Sequence, residues 1–466
     1  MSSRQVRKSP VKTDGKAMPG SLPVLQTLTL GCSKNRVDTE HILACLDGRY
    51  TVLPEDIRDR SCDVLLLNTC GFIGDAKEES IAAIFGAVER KGRGEIGKIV
   101  VFGCLSQRYS GELPGLIPEV DAWFGARDFG PLLDYLGAGS SDRKMVTRHL
   151  TTPSHYAYLK ISEGCDRRCS YCAIPFIRGK HRSVPADELV EEARLLAAKG
   201  VRELILIAQD TTYYGLDLYR RRSLADLLRR LSEVEGIEWI RIHYSYPADF
   251  PEDVLEQMAD NPKVCRYMDI PLQHISDKVL SAMHRNVDGA WTRALIRKMR
   301  EKVPGVVLRT TMITGHPGEG TREFRELLDF VREARFERLG AFMYSEEEGT
   351  YGAAHFKDSV RPSTKQRRLD ALMSLQGTIS LDFNRSRVGS EVKVIVDSCS
   401  DGMLVCRSEF ESPEVDGEIL VRCGELDDPE SLCGKFITVR ITGADEYDLT
   451  AEIVSVEGDP KGSFPL

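Results

Sequence analysis

No apolar run in the 466 residues approaches the roughly 18 that a membrane-spanning helix requires. The opening stretch, MSSRQVRKSPVKTDGKAMPG, has no apolar segment that could serve as a secretion signal. The chain is therefore expected in the cytoplasm, with a disordered basic tail over residues 1–21 and no membrane partner. Internal repeats are also missing, as are low-complexity tracts beyond that tail, which excludes a repeat architecture. In a reducing cytosol disulfides are rare, so 13 cysteines suggest metal binding or catalysis rather than cross-links.

What is present is ordinary globular material, 42% hydrophobic and 29% charged. The chain is too long for one core and should divide into about three domains. Over 22–136, short apolar runs alternate with helical patterns. VLQTLTLGC, VLLLNTC and KIVVFGC read as strands ending at Cys32, Cys70 and Cys104, with VDTEHILACL and DAKEESIAAIFGAVER as helices between them. Strand–helix repetition implies a parallel sheet, whose functional groups gather beyond the carboxyl ends of its strands. All three cysteines lie on that edge.

A polar linker, 137–149, precedes a second alternation over 150–386. Six strands are expected there: AYLKIS, ELILIA, WIRIHYS, YMDIPLQ, VVLRTTMITG and RLGAFMYS. Helical patterns such as 186–199 and 321–335 separate them, and a last one, LDALMSLQGTISLDF, leads outward. Six βα units suit a partial, open (βα)6 barrel with its site at the C-terminal mouth. Over 387–455, short strands broken by Gly, Pro and Asp have the pattern of a small antiparallel β-barrel. Residues 456–466 form a tail.

The stretch SEGCDRRCSYCAIP follows the first barrel strand directly, so Cys165, Cys169 and Cys172 sit in the mouth. Thiolates this close bind soft metals. A structural zinc ion would want a fourth ligand, and the nearest candidate, His181, has no paired spacing. A [4Fe–4S] cluster normally takes four cysteines, so three would leave one iron open to a small ligand. Cys32, Cys70 and Cys104 could hold a second such cluster; each could also be a small buried hydrophobe. That plain reading is adopted for Cys45, Cys62, Cys265, Cys399, Cys406, Cys423 and Cys433.

The spacing C-x3-C-x2-C after a first barrel strand resembles the radical S-adenosylmethionine (SAM) superfamily. LGCSKNRVDTE, NTCGFI, GCLSQRY and SEGCDRRCSYCAIPFIRGKHRS are similar to the methylthiotransferases, over about 22–455. AQDTTYYGLDLY, DIPLQHISDKVLSAMHR and AFMYSEEEGT resemble the branch acting on ribosomal protein S-12. The resemblance implies an auxiliary-cluster domain, a radical SAM core and a C-terminal TRAM barrel. It implies that Cys32, Cys70 and Cys104 bind an auxiliary [4Fe–4S] cluster, and Cys165, Cys169 and Cys172 the SAM-binding one. The implied reaction is methylthiolation of an aspartate β-carbon in that ribosomal protein, giving 3-methylthioaspartate. SAM would supply both a methyl group and the radical, and an electron donor is required. Ser33 departs from a usual Pro and His316 from a usual Phe, neither at a ligand position.

At the mouth, Gln209 and Asp210 end the second barrel strand, and Gln273 and His274 the fourth. TGHPGEG (314–320) resembles a phosphate-cradling loop, and its backbone is expected to line the SAM pocket. Gln209, Gly315 and Gly318 are the candidate cofactor-binding residues, each equally open to a cap or tight-turn role. Lone histidines such as His243 are taken as structural.

Charge bears on the partner. The chain carries −8 overall, but residues 389–466 hold 6 Lys and Arg against 18 Asp and Glu, a balance of −12. A small barrel of that sign would repel a phosphate backbone and attract a basic ribosomal protein. Two alternatives remain: a tRNA adenosine methylthiotransferase, which calls for a basic barrel face, and a non-enzymatic zinc- and RNA-binding protein.

Overall fold

The computed structural model describes residues 22–55, 57, 60–139, 146–424 and 426–456. The expected tail at 1–21, residues 457–466 of the expected tail at 456–466, and the middle of the linker lie outside the described residues; Val456 ends the last strand instead. Among those described, no helix is long and apolar enough to cross a membrane.

The N-terminal sheet has five parallel strands: β1 (Val24–Thr29), β2 (Thr51–Leu53), β3 (Cys62–Thr69), β4 (Ile96–Gly103) and β5 (Ala122–Trp123). The sequence reading found β1, β3 and β4. The other two span only three and two residues, too short for a periodicity to register. Their order is β2-β1-β3-β4-β5. This doubly wound order reverses between β1 and β3, and the crevice at such a reversal is where open α/β sheets bind ligands.

The helix Ser33–Cys45 follows β1. Ile42 and Leu43 pack into the sheet's core, while Asp38, Glu40 and His41 are also buried, because the helix's other face docks on the central domain. Burial on two faces explains its weak apolar periodicity.

The central domain carries β6 (Tyr156–Lys160), a two-residue pair β7 (Ser162–Glu163) and β8 (Arg182–Ser183), then β9 (Glu203–Ile207), β10 (Trp239–Ile242), β11 (Val264–Asp269), β12 (Val307–Thr314) and β13 (Arg338–Met343). β13-β12-β11-β10-β9-β6 form an all-parallel sheet whose edge strands do not meet, the open six-stranded barrel expected. Alternation divides its faces. Leu159, Leu204, Ile240, Met268 and Leu308 point to the surrounding helices and build the main core. The opposite parity, including Tyr158, Glu203, Arg241, Tyr267, Arg309 and Arg338, faces inward.

Five strands close the C-terminal barrel: β14 (Glu391–Ser400), β15 (Met403–Ser408), β16 (Ile419–Arg422), β17 (Phe436–Ala444) and β18 (Leu449–Val456). Four seams are antiparallel and one, β16–β18, is parallel. A ring with an odd number of strands cannot alternate direction all the way round, so one parallel seam is unavoidable. The loop between β15 and β16 enters the concave side of the central barrel. Arg241 Nη1 donates to Glu409 O at 2.7 Å, and Tyr267 OH to Asp416 Oδ2 at 2.6 Å. Ser412 Oγ meets His243 Nε2 at 2.9 Å, and Tyr158 OH donates to Glu414 Oε2 at 3.2 Å. The small barrel thus provides the floor of the large one.

Candidate metal centres

Each cysteine of the first trio stands where a strand of the N-terminal sheet gives way to a helix. Cys32 caps the helix Ser33–Cys45 with extended backbone, Cys70 follows β3, and Cys104 begins the helix Cys104–Arg108. Cys32 and Cys70 flank the switch point between β1 and β3. Gly31 has a φ of +91°, and a Cβ there would lie 2.7 Å from Cys70 Cβ and 3.0 Å from its Sγ. A Cβ on Gly71 would fall 2.7 Å from the Leu105 backbone and 2.9 Å from that of Cys104. These two glycines let the cysteine-bearing turns touch.

The thiols feel one another. Burial pushes Cys70 up to about 11, and Cys32 and Cys104 add to the rise. Burial raises Cys104 as well; the Arg178 charge opposes this and Cys32 reinforces it. Asn35 ties the turns together, donating to Leu30 O at 2.8 Å and Thr69 O at 3.3 Å.

The second trio lies on the loop after β7. Cys165 N donates to Gly179 O at 3.0 Å, and Cys172 N to Cys169 O at 3.1 Å. Burial pushes Cys165 up to about 12 and Cys172 higher still, with Cys169 raising both. Arg285 Nη1 reaches Cys169 Sγ at 3.4 Å, its guanidinium 4.2 Å from the Tyr246 ring centroid.

The donor set fits iron–sulfur clusters. Each trio offers three soft sulfur donors on adjoining turns, the ligand type such clusters take. Each trio also has one buried guanidinium at a sulfur, Arg178 at Cys104 (3.2 Å) and Arg285 at Cys169, as an anionic cluster calls for. Burial keeps the free thiols of Cys70, Cys104, Cys165 and Cys172 protonated, so metal loading must release protons.

The remaining candidates divide. Gln209, at the end of β9, donates to Glu163 Oε1 at 2.6 Å, and its own Oε1 is buried without a protein partner. Burial opposes ionisation of Glu163, but Lys160 and Arg178 outweigh it and hold that carboxyl at about 2. Asp210 pairs with Arg167 at 2.9 Å. Gln273 takes a φ of +74° and bridges to Met312. His274 Nδ1 accepts from Ser276 N at 3.0 Å. Gly315 donates to Glu319 Oε2 at 2.9 Å, with a Cβ there blocked by Lys365 Cγ at 2.4 Å. Gly318, at φ +93°, faces Lys278. Beside this loop, Thr314 Oγ1, His316 Nε2 and Tyr344 OH are buried without a protein partner, as is Ser170 Oγ in the cysteine loop. Such orphaned groups fit a small polar cofactor. His181 bonds Ser183 Oγ at 3.0 Å and stands apart as a ligand.

The buried-hydrophobe reading of the other cysteines needs correction in the C-terminal barrel. Cys433 is exposed, and Cys399 is half-buried with its Sγ 3.7 Å from that of Cys423. Sequence reasoning also missed Arg178, Arg285, Asn35, Glu163 and Tyr246. Arg178 lies inside the quoted motif, but nothing in spacing reveals that its side chain crosses to the other domain.

Three family descriptions match the chain: "Uncharacterized protein family UPF0004" at 25–125, "Radical SAM superfamily" at 159–331 and "TRAM domain" at 388–454. Ribosomal protein uS12 methylthiotransferase RimO of Porphyromonas gingivalis is 50% identical over 431 residues, covering 92% of this chain and 99% of its own. The protein of the same name from Bacteroides fragilis is 48% identical over 430 residues, covering 92% and 99%. Among solved structures, the radical SAM methyltransferase TsrM of Kitasatospora setae aligns over 82% of this chain and 80% of its own, at 14% identity and a TM-score of 0.49.

Proposed function

The chain belongs to the RimO family of ribosomal protein uS12 methylthiotransferases, and on that premise we propose that it methylthiolates the β-carbon of an aspartate in that ribosomal protein, giving 3-methylthioaspartate. As a radical SAM enzyme it works with SAM and iron–sulfur clusters. We assign Cys165, Cys169 and Cys172 to the SAM-binding [4Fe–4S] cluster, and Cys32, Cys70 and Cys104 to the auxiliary one. Bound there, these groups would supply an electron, a hydrogen-abstracting radical and a methyl group, chemistry beyond acid–base side chains.

The protein's own residues bind, balance and enclose. Arg178 and Arg285 offset thiolate charge. Gln209, Gly315 and Gly318 border the SAM pocket, where Thr314, His316 and Tyr344 leave polar atoms for a ligand to satisfy. From below, the β15–β16 loop seals the barrel, and Glu411 there pairs with Arg338 at 2.9 Å. The observation that carries the reading is the pair of thiol trios, each of which would give a four-iron cluster three of its four cysteine ligands.

We further propose that the acidic C-terminal barrel contacts the basic ribosomal protein in the cytoplasm. Five of its 16 acids, Asp397, Glu409, Glu411, Glu414 and Asp416, instead face basic groups of the other domains: His155, Arg266, Arg338, Arg36 and Arg309. Recognition is left to exposed acids such as Asp427, Asp428, Glu430, Asp445, Glu446 and Asp448. Mass spectrometry of uS12 from cells with and without this chain tests the function. The methylthio adduct is expected only when the chain is present, and an adduct found on tRNA instead would overturn the reading.

A further inference from the structure

Arg178 stands six residues beyond Cys172, where the helix Ile174–Ile177 ends. Its side chain is 2% exposed and crosses to the N-terminal domain. There Nε donates to Cys104 Sγ at 3.2 Å, Nη2 to Asn35 Oδ1 at 2.5 Å and Nη1 to Asp38 Oδ2 at 2.7 Å. Nη1 also reaches Glu163 Oε2, in its own domain, at 3.1 Å. The carbonyl of the next residue, Gly179, accepts from Cys165 N. Two adjacent residues therefore touch both trios, one at a sulfur and the other at an amide.

Asp38 and Glu163 also pair with Lys160, so the two carboxylates balance both buried cations. The bond to sulfur lies outside that balance and has a consequence of its own. When an iron–sulfur cluster takes up an electron, negative charge spreads onto its thiolate sulfurs. An N–H donor and a fixed positive charge at one of those sulfurs favour the reduced state and raise the potential. Resting on the assignment of Cys32, Cys70 and Cys104 to an auxiliary cluster, we propose that Arg178 is its positioning residue. Its Nε–H bond orients the Cys104 thiolate and raises that cluster's potential, so a residue carried on the loop of one centre sets the other.

Anaerobic redox titration of the full-length protein, followed by electron paramagnetic resonance, tests this. Adding SAM changes the signal of the centre held by Cys165 and so separates the two. Arg178→Gln is expected to shift the auxiliary reduction equilibrium at least tenfold toward the oxidised form, about 59 mV for one electron. The SAM-binding centre should move by less than half as much. Arg178→Lys keeps the charge and loses the Nε–H bond to sulfur, so its shift should be smaller and of the same sign. If the Gln variant fails to hold iron, the Lys variant decides. A lowered auxiliary potential supports the proposal; an unchanged one overturns it, as does loss of iron from both centres in both variants. Wild-type protein holding only about four irons rather than about eight would instead refute the cluster assignment itself.

Discussion

Gly31 occupies a left-handed backbone position with no room for a side chain, against the side chain of Cys70. Gly31→Ala must bear the left-handed conformation, about 1–2 kcal/mol, and displace Cys70 as well. The expected result is a folded protein that loses the N-terminal iron and keeps the other centre, read by iron and sulfide analysis. Cys70→Ser should give the same halved iron content without the backbone strain. Serine at Cys169 should empty the other centre instead, so the two trios are separable one residue at a time.

At the scale of elements, the N-terminal domain is held to the barrel by a few buried polar groups. Glu347, beyond β13, accepts from Gly74 N at 3.0 Å at the start of the helix Gly74–Gly92, an end where negative charge is favoured. It also pairs with Lys77 at 2.9 Å and Arg108 at 3.0 Å. Burial opposes its ionisation, yet its bonds to Lys77 and Ser345 hold the carboxyl below its ordinary value. Glu347→Ala would leave a buried Arg108 charge unpaired, at a cost of about 3–5 kcal/mol. The domain should then separate from the barrel more readily, seen as faster proteolysis between residues 136 and 150 with the C-terminal barrel intact.

For the whole molecule, the seam between the two barrels is ionic and buried. Glu203 accepts from Arg241 and Arg407, each at 2.8 Å, with all three side chains at most 3% exposed. Arg407→Ala should lower the thermal midpoint by the equivalent of about 3–5 kcal/mol, because Glu203 and Asp397 lose a buried partner. Buried histidines, one of them in this seam, make stability depend on pH. Burial pushes His243 down to about 3, and His41 and His316 are lowered for the same first reason. As pH falls below about 6.5, the unfolded chain protonates these imidazoles while the folded chain resists, so stability drops on acidification. At about pH 5, His243 alone should cost about 2 kcal/mol, and His243→Gln should flatten the fall in thermal midpoint between about pH 7 and 5.

The chemistry of the site was legible in the sequence because cysteine spacing and strand periodicity are local. Three strands each leading to a thiol, and a triplet behind the first barrel strand, determined the six candidate ligands. The charge of the C-terminal segment was legible too, though not its destination: Glu411 and Asp416 meet Arg338 and Arg309 on the concave face, and Asp397, Glu409 and Glu414 meet His155, Arg266 and Arg36 of the other domains. The β1/β3 switch point, the crossing of Arg178 to Cys104 and the floor under the barrel were decided by tertiary structure alone. Each joins residues dozens to hundreds of positions apart, and no local pattern encodes which distant side chain will neutralise a buried charge. Only packing fixes that pairing.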